Sequence, residues 1–302
     1  MQSTNKVIVI RPHKFTPNPE TEKDNNFQDI DTSRTLEKTT IEKRAYNEVT
    51  AVIQTLENNG IEVLVYEDDG QWQTPDSVFP NNWLSTHSKK RMALYPMYAI
   101  NRRLERREDI IISIKNENNI QTVFDLSEYE SQEMYLEGTG AMVLDRVNDI
   151  AYVAESKRSN RKVLDEFCTK FEYSPVIFTA TDNDHIPIYH TNVMMGIGSG
   201  YALVCLESIK DQNQRKMCVE SFGKTGHEII DLSIKQINSF AGNVLELNND
   251  REKLLAVSKV GYDSLTKMQI KVIEKYARIV TFNIPTIELA GGSIRCMLAE
   301  IF

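Results

Sequence analysis

The hydrophobic period of this chain switches repeatedly between about two and about 3.6, and this alternation constrains its fold more than any other feature. Val7–Pro12, Glu62–Tyr66 and Arg91–Pro96 carry the short apolar pattern of strands. Between the first two, Ile41–Asn59 places Ala45, Val49, Val52, Ile53 and Leu56 on one helical face and stops at Gly60. Leu104–Ile114, Arg161–Phe171, Ile209–Phe222, Ile234–Phe240 and Ser264–Tyr276 predict further helices. Met142–Asp145 and Ile150–Ala154 predict a hairpin. Strands are predicted at Pro175–Phe178, His190–Ile197, Tyr201–Leu206, Val244–Leu247, Lys253–Ser258, Ile279–Phe282 and Ile294–Ala299. The recurring unit is strand, strand, helix, strand. Strands often follow one another directly, which disfavours a strictly alternating parallel sheet. No linker rich in proline, glycine or serine divides the chain, so the expectation is a single domain over residues 1–302.

Composition narrows the function classes. With 41% apolar and 26% charged residues, the chain is neither disordered nor fibrous. A net charge of −8 argues against nucleic acid or an anionic membrane as the main partner. No apolar run approaches the roughly 18 residues of a membrane span, and the N-terminal apolar core is too short for a signal peptide. A cytoplasmic location is therefore expected. The four cysteines, Cys168, Cys205, Cys218 and Cys296, form no CxxC pair and are expected to be reduced thiols. The oligomeric state is open, a homodimer included.

Several common motifs fail. Gly196-x-Gly198-x-Gly200 lacks the spacing of a dinucleotide loop and runs into a strand instead of a helix. There is no phosphate-binding GxxxxGK[ST], no HExxH and no GxSxG. The five histidines are dispersed without metal-ligand spacing, so no metal is expected.

Four other segments carry chemistry. In Ala290-Gly291-Gly292-Ser293-Ile294-Arg295-Cys296 a glycine pair leads to a thiol; glycines expose backbone N–H groups, and a nearby cation favours thiolate. In Tyr189-His190-Thr191-Asn192, read as opening a strand, a histidine and an amide two residues on share a face. Glu137 stands alone between Leu136 and Gly138. Asn81 and Asn82 sit between Phe79-Pro80 and Trp83. Each segment alone fits an ordinary structural role: a buried thiol, an edge histidine, a loop acid, an asparagine turn. All four occur at strand ends beside glycine, proline or asparagine.

On these residues the chain resembles the amidinotransferase/deiminase, or pentein, superfamily. The resemblance runs from Val9-Ile10-Arg11-Pro12 to the segment of Cys296. The blocks PDSVFPNNWLSTH (75–87), LEGTGAMVLDR (136–146), YHTNVMM (189–195) and IPTIELAGGSIRCMLAEI (284–301) look most like citrulline-utilisation hydrolases. The resemblance implies an α/β fold, a five-bladed α/β propeller of strand-strand-helix-strand units around a central site. It implies Cys296 as nucleophile, His190 as proton shuttle and Glu137 as the acid that orients the imidazole. It implies no metal or organic cofactor, and a ureido or guanidino amino acid as the small-molecule partner.

The chain departs from the family pattern where guanidine-processing members carry two aspartates. Asn82 and Asn192 stand there, and Gly140 replaces an aspartate often found in the Glu137 segment. Carboxylates suit a guanidinium, whereas amides offer both donor and acceptor to a neutral ureido group. The expectation is therefore a citrulline hydrolase giving ornithine, ammonia and carbon dioxide, with Asn82 and Asn192 binding substrate. A guanidine deiminase or amidinotransferase acting on arginine is the alternative. A non-catalytic pentein, such as the ribosome-binding initiation factor of that fold, should lack the catalytic set. Arg11, Asn243, Ser293 and Arg295 are candidates for the substrate's amino and carboxylate groups.

Overall fold

The computed structural model describes residues 1–302. Its strands are β1 (Lys6–Pro12), β2 (Glu62–Asp68), β3 (Leu84–His87), β4 (Arg91–Leu94), β5 (Thr122–Asp125), β6 (Met142–Asp145), β7 (Ile150–Ala154), β8 (Ser174–Phe178), β9 (Met195–Gly198), β10 (Tyr201–Val204), β11 (Glu228–Asp231), β12 (Leu245–Asn248), β13 (Lys253–Ser258), β14 (Arg278–Phe282) and β15 (Ala299–Glu300). They form five three-stranded sheets: β3-β4-β5, β6-β7-β8, β9-β10-β11, β12-β13-β14 and β15-β1-β2.

Every sheet follows one rule. Its first strand pairs antiparallel with the second, and the second pairs parallel with the third. A parallel pair needs a crossover, and helices supply it at Lys38–Asn58, Glu108–Glu117, Arg161–Phe171, Gln212–Thr225 and Lys267–Ile273. The strand-strand-helix-strand unit thus occurs five times, and the fifth sheet joins the two ends of the chain through β15 and β1.

Burial explains the pattern. All residues of β3, β6 and β9 are buried, as expected for strands covered on both faces. The helix Lys38–Asn58 buries Ile41, Ala45, Val49, Val52, Ile53 and Leu56, and the chain leaves it through Gly60 at φ +79°. No helix is long and apolar enough to cross a membrane.

Several expectations need correction. His190–Ile197 is not one strand: Thr191–Val193 is a 3₁₀ turn and pairing starts at Met195. Ile294–Ala299 is mostly turn, with only Ala299–Glu300 in a sheet. The helix expected at Leu104–Ile114 begins at Glu108, after a separate 3₁₀ turn at Asn101–Glu105. Ser264–Tyr276 breaks near Leu265, where the Thr266/Gln269 capping box starts a new helix. The strands β3, β5 and β11 went unread because their sequences, LSTH, TVFD and EIID, mix polar and apolar residues over one turn's length.

Two of these corrections, at His190–Ile197 and Ile294–Ala299, fall on turns of one recurring kind. The segments Pro80–Asn82, Glu137–Ala141, His190–Met194, Asn243–Val244 and Ser293–Leu298 each lead directly into the first strand of a sheet: β3, β6, β9, β12 or β15. Of those first strands, β9 lies against both β6 and β12, and β15 lies against β3. The turns gather at the N-terminal ends of these strands.

Candidate active site

The five turns bring Asn82, Glu137, His190, Asn192, Asn243 and Cys296 into the interior, none more than 2% exposed. The Cys296 turn is closed by its own backbone, with Cys296 N–H donating to the Ser293 carbonyl at 2.9 Å. Gly292 lets it approach Phe79, whose ring atoms a Cβ there would meet at 2.8 Å. Cys296 Sγ is reached by two amides: Asn243 Nδ2 at 3.2 Å and Asn192 Nδ2 at 3.4 Å.

His190 Nε2 lies 2.8 Å from Glu137 Oε2. The other Glu137 oxygen accepts the Tyr98 N–H at 2.9 Å, and Arg158 Nη1 donates to Oε2 at 3.3 Å. Burial pushes the Glu137 carboxyl up, but Arg158 and the His190 hydrogen bond outweigh it and hold Glu137 well below the usual carboxylate range. Burial drives His190 the other way, down to about 4, with Arg158 and Arg102 adding to the fall against the pull of Glu137. The pair is therefore an ionised carboxylate beside a neutral imidazole, and the counter-charge to Glu137 resides on the arginines.

Asn82 Oδ1 accepts from Arg102 Nη1 at 3.0 Å, while its Nδ2 is buried without a partner. Arg102 is held by Glu105 through Nε and Nη2 at 2.8 and 2.9 Å. Arg158 is held on its other side by Asp24, at 2.9 Å from Nη2. Asp76 lines the same cavity with one buried oxygen, Oδ1, unpartnered; burial pushes its carboxyl up to about 6 despite Arg102.

Thr21, Asn25, Asp76, Phe79, Asn82, Arg102, Arg158, Tyr189, His190, Ala290, Gly292 and Cys296 enclose a cavity of about 10 Å³, room for about one water molecule. The wider surface clefts hold none of the three catalytic candidates His190, Glu137 or Cys296. Burial pushes Cys168 and Cys218 up to about 12 and Cys205 up to about 11, so they stay protonated thiols.

The five residues expected from sequence, Cys296, His190, Glu137, Asn82 and Asn192, converge on this cavity or its wall. Of the further candidates, only Asn243 reaches the thiol. Arg11 pairs with Glu67 away from the cavity. Ser293 donates to Glu288 at 2.7 Å, and Arg295 turns to Glu300 at 3.0 Å. The side chain of Arg295 does face away from Cys296, as expected, but from a turn and not a strand. Sequence reading missed Asp76, Arg102 and Arg158. Arg102 sits in the basic run NRRLERR, where nothing in the sequence separates the one fully buried arginine from its half-buried neighbours.

Five sheets of this order, with the acid, histidine and cysteine segments at the ends of their first strands, define the class: the chain is a member of the amidinotransferase/deiminase, or pentein, superfamily. More narrowly, residues 11–302 match the family described as N,N dimethylarginine dimethylhydrolase, eukaryotic, and the chain belongs to that family. It is a hydrolase-like enzyme of that superfamily. Among solved structures it is similar to a substrate-bound mutant of the N-terminal domain of ArgZ, an arginine dihydrolase from the ornithine-ammonia cycle in cyanobacteria. That likeness has a TM-score of 0.72 at 16% identity, over 98% of this chain and 97% of that one. AgrE in ternary complex with ornithine and NAD⁺ is similar with a TM-score of 0.73 at 16% identity, over 98% of this chain but 39% of AgrE. A dimethylarginine dimethylaminohydrolase mutant with an S-methyl-L-thiocitrulline adduct gives 0.63 at 16% identity, over 99% of both chains. At such identities the likeness speaks to fold. No curated protein matches the chain.

Proposed function

We propose that the protein is a cysteine-dependent hydrolase of linear C–N bonds in a ureido amino acid, with citrulline as substrate and ornithine, ammonia and carbon dioxide as products. The five sheets, on this reading, close into a five-bladed ring forming one domain around the site. One observation carries the substrate choice: both side chains that reach the Cys296 sulfur, Asn192 and Asn243, are neutral amides. A guanidinium brought to that sulfur would meet no carboxylate on the two side chains that reach it, whereas a ureido oxygen would meet N–H donors.

The residues divide the work. The Cys296 thiolate attacks the ureido carbon and forms a covalent intermediate as a nitrogen leaves. Neutral His190, oriented by Glu137, takes the thiol proton and passes it to the leaving nitrogen. It then takes a proton from the water that releases the intermediate as a carbamic acid, which breaks down to carbon dioxide and the second amine. Asn82 Nδ2, buried and unpartnered, is free to bond the ureido oxygen. The free oxygen of Asp76 suits the substrate's ammonium, and the guanidinium groups of Arg102 and Arg158 suit its carboxylate. This set needs no metal or organic cofactor. The cavity is too small for an amino acid, so its wall must open for substrate to enter.

Arginine is the second reading, and the names of the relatives favour it: ArgZ is described as an arginine dihydrolase, and AgrE has been captured with L-arginine. Purified protein incubated with each amino acid, with ammonia and ornithine measured, decides between them. Ornithine and ammonia from citrulline support the proposal. Turnover of arginine alone replaces it with the second reading, and no turnover of either sinks both.

A further inference from the structure

We propose that Asn243 is a further catalytic residue, an amide locked with its N–H groups toward the nucleophile so that it stabilises the Cys296 thiolate. This rests on Cys296 being the nucleophile. Asn243 is fully buried at the entry to β12. Its Oδ1 accepts the backbone N–H of Arg295 at 3.0 Å. That bond settles which way the amide faces, because a backbone N–H can only donate. Nδ2 is then turned to the Asn192 carbonyl at 3.2 Å and to Cys296 Sγ at 3.2 Å. Asn192 has no such lock: its Nδ2 and Oδ1 lie 3.4 and 3.8 Å from the same sulfur.

The backbone before Asn243 is shaped for this delivery. Phe240 adopts φ +61°, a conformation rare outside glycine. At Gly242 a Cβ would stand 2.6 Å from the Val193 carbonyl oxygen and 2.8 Å from the Met194 carbonyl carbon. Only a residue without a side chain lets this turn lie flat against the turn that follows His190. Strained positions that persist beside a reactive group are a recurring mark of functional sites. One side chain thus joins three things: the Cys296 turn through Arg295, the His190 turn through Asn192, and the sulfur itself. An N–H donor fixed on a sulfur favours its anionic form, and it costs no rearrangement when the thiolate forms.

A merely structural anchor would need only the Oδ1 bond to Arg295, which separates the two roles. Asn243→Asp keeps the size and the acceptor for Arg295 but replaces the donor with a second anion. Asn243→Ala removes both. The readouts are the rate of iodoacetamide alkylation at Cys296, followed by peptide mass spectrometry near neutral pH, together with kcat, KM and melting temperature. Alkylation is independent of substrate identity. Both variants should alkylate Cys296 about 10- to 100-fold more slowly, the worth of one hydrogen bond to a charged acceptor, with Asp the slower of the two. The loss should fall on kcat more than on KM. An Asp variant that alkylates and turns over within about threefold of wild type, well below the worth of one such bond, overturns the proposal, as does a normal rate in a folded Ala variant. Turnover surviving in Cys296→Ser overturns the nucleophile assignment and this proposal with it. A dead Cys296→Ser beside a normal Asn243→Asp overturns this proposal alone.

Discussion

A Cβ on Gly140 would stand 2.8 Å from both Cε1 and Nδ1 of His190, closer than such atoms pack. The same Cβ would collide with Asn82 Nδ2. Gly140 is therefore the space that the imidazole and the free Asn82 amide occupy. Its φ is not in the left-handed region, so the requirement is steric contact with the site and not backbone conformation. Gly140→Ala should fold, because the displaced groups are side chains, but should lose about a hundredfold or more in kcat as His190 leaves its position, in keeping with the usual worth of acid–base catalysis. Near-normal steady-state kcat in the alanine variant would place the working position of His190 elsewhere.

Cys296→Ser should abolish turnover while far-UV circular dichroism and melting temperature stay close to wild type. Serine is a much weaker nucleophile unless a base is well aligned with it. Cys205→Ser should remain near normal, because burial keeps that thiol protonated, up to about 11, and it faces no cavity group. Ammonia release by Cys296→Ser within tenfold of wild type would refute the assignment.

His190→Ala should lower kcat by about two to four decades. With His190 neutral down to about 4, kcat/KM should fall only as pH approaches that value, not near the ordinary 6.5 of histidine. An acid limb at 6.5 would mean that burial does not lower His190 in this site. Glu137→Gln should lower kcat and also melting temperature, because Arg158 loses a buried counter-ion, a change of about 3–5 kcal/mol when one partner of such a pair goes. A Glu137→Gln variant with full activity would separate Glu137 from the histidine.

Glu288 supplies a pH test of the Cys296 turn. It accepts from Ser293 Oγ at 2.7 Å, and burial pushes its carboxyl up to about 7 from 4.5, despite hydrogen bonds from Ser258 and Ser293. Because the folded value is raised, its contribution to stability is fully present below 4.5 and is lost as pH rises through about 7. Glu288→Gln has no such loss. Its melting temperature relative to wild type should therefore climb across that window, read by thermal melts on either side of it. A constant difference at all pH values would show that Glu288 is not held protonated.

Citrulline should be preferred over arginine by at least about a hundredfold in kcat/KM, given the cost of leaving a buried guanidinium without its counter-ion. Replacing Asn82 and Asn192 together by aspartate should lower citrulline turnover, since acceptor-only groups cannot bond the ureido oxygen. Tighter arginine binding by that double variant need not bring arginine turnover, because ground-state binding does not by itself stabilise a transition state. Comparable kcat/KM for the two substrates in the wild-type protein would overturn the amide argument.

Much of this was legible in the sequence. Period and turn chemistry act locally, so Met142–Asp145, Ile150–Ala154, Arg161–Phe171 and Lys253–Ser258 could be read to the residue. Cys296, His190, Glu137, Asn82 and Asn192 could be singled out because glycine, proline and asparagine mark the turns that carry them, and the family resemblance supplied their expected roles. What the sequence could not contain was the meeting of those turns. Thr191–Val193 and the Cys296 segment look like strands to any local pattern, yet they bend because they must bring buried polar groups to one another and not to a strand partner. Arg102 and Arg158 look like surface charge until the fold buries them against Glu105, Glu137 and Asp24. Asn243 has no motif around it; only the tertiary contacts with Arg295, Asn192 and Cys296 fix its amide. Local sequence determines which segments can be strand, helix or turn, because those preferences are short-range. Partners and charge states, such as neutral His190 beside ionised Glu137, come only from tertiary structure, because burial and counter-charge arise between residues far apart in the chain.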